Sequence, residues 1–224
     1  MTPSKKVCVV AGAGPGMGYA IARRFAQEGF DIALLARNLA AVQDAAHTLR
    51  QSGVNAIGVA VDLTSAEDIE RAFSDIRQQL GEPSVLVYNA ANWHQVAAME
   101  MPPATFTADL SLSITGALAC AQQVYRAMKA AGTGTMLFTG GGLALNPQYG
   151  AGVSSLTAGK AGLRGLVFAL HGELAPLGIR VGTVTIAGMV APDTPFAPDK
   201  IAEAYWKLQD DTQSPVEIIF DGKA

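Results

Sequence analysis

The chain has 224 residues, half of them hydrophobic and 16% charged, so it is long enough to bury one core and too apolar to be disordered. Its net charge of −3 and the lack of a basic run argue against nucleic acid as a partner. Two separated cysteines, Cys8 and Cys120, without a CxxC motif or a neighbouring His cluster, argue against a disulfide framework and a metal site. The polar start and the apolar runs, which are too short for a membrane span, predict a reduced, cytoplasmic protein without a signal peptide.

Short apolar runs indicate the strands of the fold. Each run is almost continuously apolar, as strands covered on both faces of a sheet must be. The predicted strands are Val7–Val10, Ile32–Leu35, Ile57–Val61, Val85–Val87, Met136–Phe138, Val181–Ile186 and Val216–Phe220.

Segments of helical character lie between these runs. In the first, Met17, Ile21 and Phe25 recur every four residues and form an apolar stripe, and Ser65 is placed to cap the third. The predicted helices are about Met17–Gly29, Leu39–Ser52, Ala66–Leu80, Thr105–Ala131 with a break, Val153–Leu177 and Lys200–Asp210. Strands that alternate with helices predict a parallel sheet with helices on both faces, and residues 1–224 contain no linker that would divide them into two domains.

A glycine-rich segment over residues 11–18 joins the first strand to the first helix. Gly12, Gly16 and Gly18 have a GxxxGxG spacing. Residues without a Cβ allow the backbone at a helix N-terminus to approach a pyrophosphate, and this strand-loop-helix context is the one that such motifs require. The alternative is a glycine-rich turn that holds no ligand.

The end of the second strand indicates which dinucleotide fits. Residues 34–38 contain no carboxylate to bind a ribose 2′-hydroxyl, and Arg37 offers a guanidinium to a 2′-phosphate. This favours NADP(H) over NAD(H) as the cofactor and argues against S-adenosylmethionine. The alternative is a solvated Arg at a strand end.

Further motifs follow the glycine segment in a fixed order. Asp62 lies in a Val-Asp-Leu-Thr sequence, Asn89 begins an Asn-Ala-Ala sequence, Lys160 begins a Lys-Ala-Gly sequence, and residues 173–181 read ELAPLGIRV. In this order the motifs resemble those of the short-chain dehydrogenase/reductase family over nearly the whole chain. The resemblance implies a single-domain, Rossmann-type α/β/α sandwich whose seven parallel strands have the order 3-2-1-4-5-6-7.

The resemblance also implies a set of cofactor contacts. The glycines and the first helical residue would hold the pyrophosphate, the acidic and amide positions the adenosine side, and Lys160 the nicotinamide ribose. The implied cofactor-binding residues are Gly12, Gly14, Gly16, Met17, Gly18, Arg37, Asp62, Leu63, Asn89, Ala90, Lys160 and Thr194.

The departures from the family concern proton transfer. The family's catalytic Tyr lies four residues before the Lys, whose charge lowers the pKa of the phenol, but here that position is Leu156. The family's catalytic Ser follows the fifth strand, and the match places Gly140 at or beside that position. Ser113 stands where the family has a structural Asn. Lys160 remains, and its alternative interpretation is a lysine on a helix surface.

The replacement for the missing acid is open. Thr139, the hydroxyl nearest to the Ser position, and Tyr149, eleven residues before the lysine, are the catalytic candidates beside Lys160 itself. His94, in the loop after the fourth strand, could transfer protons near neutral pH. Ser155 lies near the helix start, where Ser ordinarily caps the helix or is solvated.

The segment after the sixth strand is short. Thr194 matches a cofactor-contacting Thr of the family, and the last helix follows almost at once, so most of the substrate lid is missing around residues 192–200. Lids exclude water and hold substrates in place.

Two functions remain: an atypical NADP(H)-dependent oxidoreductase acting on an unknown small carbonyl or alcohol, and a catalytically inactive NADP(H)-binding protein that acts as a sensor or oligomer partner. The resemblance further implies a homodimer or homotetramer.

Overall fold

The computed structural model describes residues 6–211 and 213–223, and its centre is a parallel sheet. The strands are Val7–Ala11 (β1), Asp31–Ala36 (β2), Ala56–Ala60 (β3), Pro83–Tyr88 (β4), Gly134–Gly141 (β5), Ile179–Ile186 (β6) and Glu217–Phe220 (β7). They lie in the order β3-β2-β1-β4-β5-β6-β7, which confirms the predicted topology. Each neighbouring pair among them is parallel.

Helices connect the strands. They are Met17–Gln27 (α1), Leu39–Arg50 (α2), Ala66–Gln79 (α3), Pro103–Leu110 (α4), Gly116–Ala131 (α5), Ser154–Leu174 (α6) and Pro198–Asp210 (α7). The predicted break in the helix over residues 105–131 is a π-helical turn, Ser111–Thr115, between α4 and α5. Ser65 caps α3 as predicted, because its hydroxyl accepts from the backbone N–H of Asp68 at 3.2 Å.

Side chains on the two faces of the sheet form separate cores. Successive strand residues point to opposite faces, so Val7, Val9 and Ala11 belong to one core, whereas Cys8 and Val10 belong to the other. The first core contains residues of α3, α5 and α6, and the second contains residues of α1, α2 and α7. The result is the expected three-layer α/β/α sandwich.

Strand β5 is longer than its sequence suggests. Its apolar run is Met136–Phe138, but its backbone stays paired with β6 as far as Gly141, which lies opposite Ile186. Consecutive glycines after Thr139 indicate a loop, yet pairing with a neighbouring strand overrides that local preference. The carboxyl end of β5 is therefore a fixed part of the sheet edge at which ligands bind in such folds.

One expectation about membranes was wrong. The helical segment Pro103–Ala131, 29 residues, is by length and composition long and apolar enough to cross a membrane. Cys120, Val124 and Met128 of its α5 part are buried in the core beneath the sheet. Buried core helices pass the same test of length and composition, so the segment is weak evidence for a membrane span.

Candidate functional site

The glycine segment turns from β1 into α1 at the carboxyl edge of the sheet. The backbone N–H groups of Gly12 and Ala13 donate to the carbonyl oxygen of Leu35 at 2.9 and 3.0 Å. Gly12 has φ +90°, and a Cβ on it would lie 2.5 Å from the backbone nitrogen of Ala90. A Cβ on Gly18 would lie 2.5 Å from the carbonyl oxygen of Gly12. These two glycines are required by the packing of the segment itself.

Gly14 and Gly16 have a different role. A Cβ on either would meet no heavy atom of the described chain within 4 Å. Both precede Met17, the first residue of α1, and the first N–H groups of a helix have no acceptor within it. Open space beside such N–H groups is what the pyrophosphate of a dinucleotide needs. The residues present therefore fit that group.

A cleft of about 480 Å³, the adenosine cleft, extends from this segment along the sheet edge. Among the residues that line it are Arg37, Asp62, Leu63, Asn89 and Ala90. The structure thus brings together Asp62 and Asn89, predicted for the adenosine side of the cofactor, Arg37, predicted for the 2′-phosphate, and two further residues of the predicted cofactor site.

Two charged side chains, Arg37 and Asp62, line the adenosine cleft. The carboxylate of Asp62 accepts from the hydroxyl of Thr64 at 2.7 Å and from its backbone N–H at 2.9 Å. These bonds, and more weakly the charge of Arg37, lower the pKa of Asp62. Arg37 itself is exposed at the end of β2. The cleft therefore presents an ionised carboxylate bound to its own turn and an exposed guanidinium.

Thr139 is the centre of a hydrogen-bond chain that sequence reasoning missed. The buried hydroxyl of Tyr205 in α7 donates to Thr139 Oγ1 at 2.7 Å, and Thr139 donates to Asn89 Oδ1 at 2.9 Å. The amide of Asn89 then donates to the carbonyl oxygen of Gly12 at 2.9 Å. The Thr139 hydroxyl therefore connects the sheet to the glycine segment, and we assign it no proton transfer. Nothing in the sequence indicates Tyr205, which lies 66 residues from its partner.

Lys160 is buried on α6 and is not a surface lysine. Its Nζ donates to the backbone oxygen of Thr139 at 2.6 Å. Burial lowers the pKa of Lys160 from 10.5 to about 8. Leu156, one helical turn before it, lines the same cleft as the lysine. The lysine therefore lies beside a side chain without a proton to give.

The structure distinguishes the two glycines that lie at or beside the position of the family's Ser. A Cβ on Gly140 would lie 2.4 Å from Thr185 Oγ1 and 2.9 Å from Thr183 Oγ1, against β6. A Cβ on Gly141 would instead lie 3.2 Å from Cγ of Lys160. Because successive strand residues point to opposite faces, a shift of one residue moves a side chain out of the site. The position beside the lysine is therefore Gly141.

A second cleft of about 440 Å³, the lysine cleft, opens above Lys160. Trp93, Tyr149 and Met189 lie at its rim with 56%, 74% and 71% of their surface exposed. The candidate Tyr149 is thus in the same cleft as Lys160, but at the solvent side.

Thr194 lines neither of these two clefts. Its hydroxyl donates to the carbonyl oxygen of Ala191 at 2.8 Å and accepts from the backbone N–H of Phe196 at 3.0 Å, within its own turn. The ring of Phe196 packs against Gly188 and stacks edge-on with Phe220 at 5.9 Å. The link between β6 and α7 is therefore packed locally, and contact between Thr194 and a cofactor stays a prediction, as does the short lid over residues 192–200.

His94 and Ser155 meet at a carboxylate that the sequence did not single out. Asp109 of α4 is 2% exposed and accepts from His94 Nδ1 at 2.8 Å, from the Ser155 hydroxyl at 2.7 Å and from the Asn92 amide at 2.9 Å. Burial raises the pKa of Asp109, but the three hydrogen bonds outweigh it and the net shift is downward. Asp109 thereby holds the loop after β4, which includes Trp93, against α4 and α6.

Comparison with known proteins decides the family. The model of the short chain dehydrogenase family matches residues 6–201. The chain belongs to the short-chain dehydrogenase family. It is 30% identical to the 3-oxoacyl-(acyl-carrier-protein) reductase of Bos taurus, over 80% of this chain and 73% of that protein. It is 28% identical to the corresponding reductase FabG of Pseudomonas aeruginosa, over 82% of this chain and 74% of that protein.

Solved structures of the family superimpose on this one. A metagenomic short-chain oxidoreductase in complex with NADP has 28% identity and a TM-score of 0.86, with 96% of each chain covered. The acetoin dehydrogenase YohF from Salmonella typhimurium has 27% identity and a TM-score of 0.86, with 97% of this chain and 95% of that chain covered. Members of the family are oxidoreductases that use a nicotinamide dinucleotide, so the glycine segment and the adenosine cleft are where such a cofactor fits.

Proposed function

We propose that this protein is an atypical NADP(H)-dependent oxidoreductase that interconverts a small carbonyl compound and its alcohol. The observation that carries the proposal is the connection between the two clefts. Asn89 lies in the adenosine cleft, Lys160 lies in the lysine cleft, and both are hydrogen-bonded to Thr139 at the end of β5. A dinucleotide on the glycine segment would therefore have its adenosine end in one cleft and its reactive end in the other.

The preference for NADP(H) rests on Arg37. Its exposed guanidinium is at the end of β2, where a ribose 2′-phosphate is bound in such folds. One oxygen of the Asp62 carboxylate in the same cleft, Oδ1, accepts both hydrogen bonds from Thr64. The metagenomic relative was solved with NADP, which supports the same preference.

The residues around Lys160 define the chemistry that this site can perform. When bound, the cofactor supplies the hydride that reduces the carbonyl carbon. Lys160 would hold the hydroxyls of the nicotinamide ribose, and with a pKa of about 8 its ammonium is protonated at neutral pH and can give a proton to the substrate oxygen. Tyr149 at the rim of the cleft is the second proton donor that we propose.

A second function is favoured by a specific observation. Leu156 and Gly141 both lie beside Lys160, and neither carries a hydroxyl. A site without a hydroxyl at these two positions would suit an inactive NADP(H)-binding protein that acts as a sensor or as a partner within an oligomer. A homodimer or homotetramer, which sedimentation can test, is compatible with both functions.

Titration of the purified protein with NADPH and NADH, followed by absorbance assays with ketones, aldehydes and quinones, distinguishes the two functions. We expect NADPH to bind about tenfold or more tighter than NADH, and Arg37→Ala to remove that preference, because one charged contact with phosphate is worth about 1.5–3 kcal/mol. Arg50→Ala, an exposed arginine at the end of α2, is the control. Binding without turnover supports the inactive protein, and no binding of either nucleotide contradicts both functions.

A further inference from the structure

The lysine cleft is apolar and aromatic where it opens to solvent. Its lining includes Trp93, Leu143, Tyr149, Leu156 and Met189. Three of these side chains, including both aromatic ones, are more than half exposed, whereas large apolar side chains are mostly buried in folded proteins. Apolar and aromatic groups that converge on a cleft are typical of a site for an apolar ligand.

The aromatic pair limits the shape of that ligand. Trp93 comes from the loop after β4, and Tyr149 comes from a 3₁₀ turn, Pro147–Tyr149, after β5. Their rings offer flat, polarisable faces that stack best on another planar ring. The rim therefore favours a planar, conjugated compound over a flexible aliphatic chain.

The polar groups limit the chemistry of the ligand. Hydride reduction of a saturated ketone gives an alkoxide. The pKa of the corresponding alcohol is near that of water, about 16, so an acid must assist the reaction. Hydride reduction of a quinone gives a phenolate. The pKa of the corresponding phenol is near that of Tyr, about 10, because the new aromatic ring delocalises the negative charge. The lysine cleft has Leu156 and Gly141, which carry no hydroxyl, beside Lys160, and the acid next to them is the Lys160 ammonium, so the cleft suits the acceptor that needs the least assistance.

We propose that the substrate of the lysine cleft is a planar quinone with two or more fused rings. The inference rests on the proposed function, because NADPH must supply the hydride. The hydride brings two electrons and one hydrogen to the quinone, which becomes the hydroquinone monoanion, and NADP⁺ is left. The Lys160 ammonium gives the second proton to the phenolate oxygen and takes a proton from solvent.

The decisive experiment compares two substrates with the same bicyclic carbon skeleton, 1,4-naphthoquinone and 1-tetralone. The expected kcat/KM is about a hundredfold or more higher for the quinone, which is the range that general acid catalysis would otherwise supply to the ketone. The reaction without protein is subtracted. NADPH deuterated on one or the other face of the nicotinamide should give a primary isotope effect from one face only, because the protein fixes the orientation of the ring.

The outcomes separate the inference from the proposed function. Equal or faster reduction of the ketone overturns the quinone inference and leaves the oxidoreductase function standing. NADPH binding without reduction of any carbonyl compound overturns both. Isotope effects from both faces mean reaction outside the site and also overturn the inference.

Variants of the rim test where the quinone binds. Trp93→Ala and Tyr149→Ala should each raise KM for 1,4-naphthoquinone about three- to tenfold, the range of one aromatic contact, with NADPH affinity and thermal stability retained. Trp93→Phe should restore most of the affinity. Met99→Ala is the control, because Met99 is 92% exposed and lies outside both clefts. Folded Ala variants with unchanged KM would overturn the inference.

Discussion

The Nζ atom of Lys160 and the backbone oxygen of Thr139 are joined by a hydrogen bond of 2.6 Å inside the protein. The acceptor is neutral, so the bond compensates only part of the cost of removing a cation from water. Burial is the cause of the lowered pKa of Lys160, about 8. A buried cation of this kind lowers the stability of the folded protein. Such groups are typical of functional sites, because a role in function explains why they are kept.

Replacement of Lys160 by Met should stabilise the protein and remove its function. The folded-state pKa of about 8 lies below the ordinary 10.5, so the unfolded state binds more protons between these pH values and wild-type stability rises with pH across that window. At pH 7 the wild type carries the full penalty of about 3 kcal/mol. The lost hydrogen bond offsets about 1 kcal/mol of the gain. Lys160→Met should therefore be more stable than wild type by about 2 kcal/mol at pH 7.

Urea unfolding without nucleotide at pH 7 and pH 10 measures this effect. The advantage of Lys160→Met should shrink at the higher pH, and its NADPH affinity should be lower at both. Lys200→Met, which changes an exposed lysine of α7, should show neither effect. A Lys160→Met protein that is less stable than wild type at pH 7 would contradict the assignment of a buried, destabilised cation.

Substitutions at two residues of the glycine segment should affect NADPH binding and stability differently. Gly16→Ala should cost less stability than Gly12→Ala, because a Cβ on Gly16 meets no described atom within 4 Å. It should weaken NADPH binding about tenfold or more, because that Cβ occupies the place proposed for the pyrophosphate. Gly12→Ala should instead destabilise the fold by about 1–3 kcal/mol, since Gly12 has φ +90° and its backbone abuts Ala90.

Isothermal titration with NADPH and urea unfolding measure the two quantities. Gly172→Ala serves as control, because Gly172 lies on α6 with open space at its Cβ position and lines neither cleft. Wild-type NADPH affinity in Gly16→Ala would show that the open space beside α1 is not used by the cofactor.

Much of the fold could be predicted because its signals are local. Each strand contains a short apolar run, and alternation with helices sets a parallel sheet. The end of β5 could not be predicted, because its glycines are held as strand by pairing with β6 and not by their own preference. For the same reason the sequence does not distinguish Gly140 from Gly141 as the match to the family's Ser, whereas in the structure a Cβ on Gly141 would face Lys160.

Residues of the candidate site can be named from the sequence where one segment contains the signal, but not where distant segments meet. Arg37 and the glycines follow from the sequence around them. Asp109 does not, because its partners His94 and Ser155 lie 15 and 46 residues away in the chain. Buried hydrogen-bond networks of this kind depend on packing between elements, which a periodic pattern does not encode.

Removal of the Asp109 carboxylate should cost stability in a pH-dependent way. Asp109→Ala leaves the buried hydroxyl of Ser155 and the amide of Asn92 without their acceptor, at a cost of about 2–3 kcal/mol at pH 7. The pKa of Asp109 is lowered in the folded state, so its contribution is present above the unfolded pKa and is lost as pH falls through the folded one. The difference from wild type should therefore shrink in unfolding experiments between pH 5 and pH 3.

Asp109→Asn, which keeps one acceptor oxygen, should be less destabilised than Asp109→Ala. Asp44→Ala, at an exposed position of α2, is the control for the loss of a carboxylate. A cost of Asp109→Ala that stays constant down to pH 3 would mean that the carboxylate charge does not contribute.

Two hydroxyls added beside Lys160 should convert the site to ketone reduction. Leu156→Tyr places a phenol one helical turn before Lys160, where the ammonium can lower the pKa of the phenol. Gly141→Ser adds a hydroxyl beside the same lysine, whose flexible Cγ, 3.2 Å from the new Cβ position, can yield. The double variant should raise kcat/KM for 1-tetralone about a hundredfold, the lower range of general acid catalysis.

The matched double variant carries Leu156→Tyr with Gly140→Ser. Its serine Cβ would lie 2.4 Å from Thr185 Oγ1, so this variant should lose stability and gain less activity than the Gly141→Ser pair. Both are compared by thermal unfolding and by kcat/KM at saturating NADPH. An equal gain in kcat/KM with either serine would show that the phenol alone limits the reaction. If NADPH still binds and neither variant gains activity, the cleft does not place a ketone against the cofactor. A gain confined to the Gly141→Ser pair requires that the substrate oxygen lie on the lysine side of β5, because adjacent residues of a strand point to opposite faces.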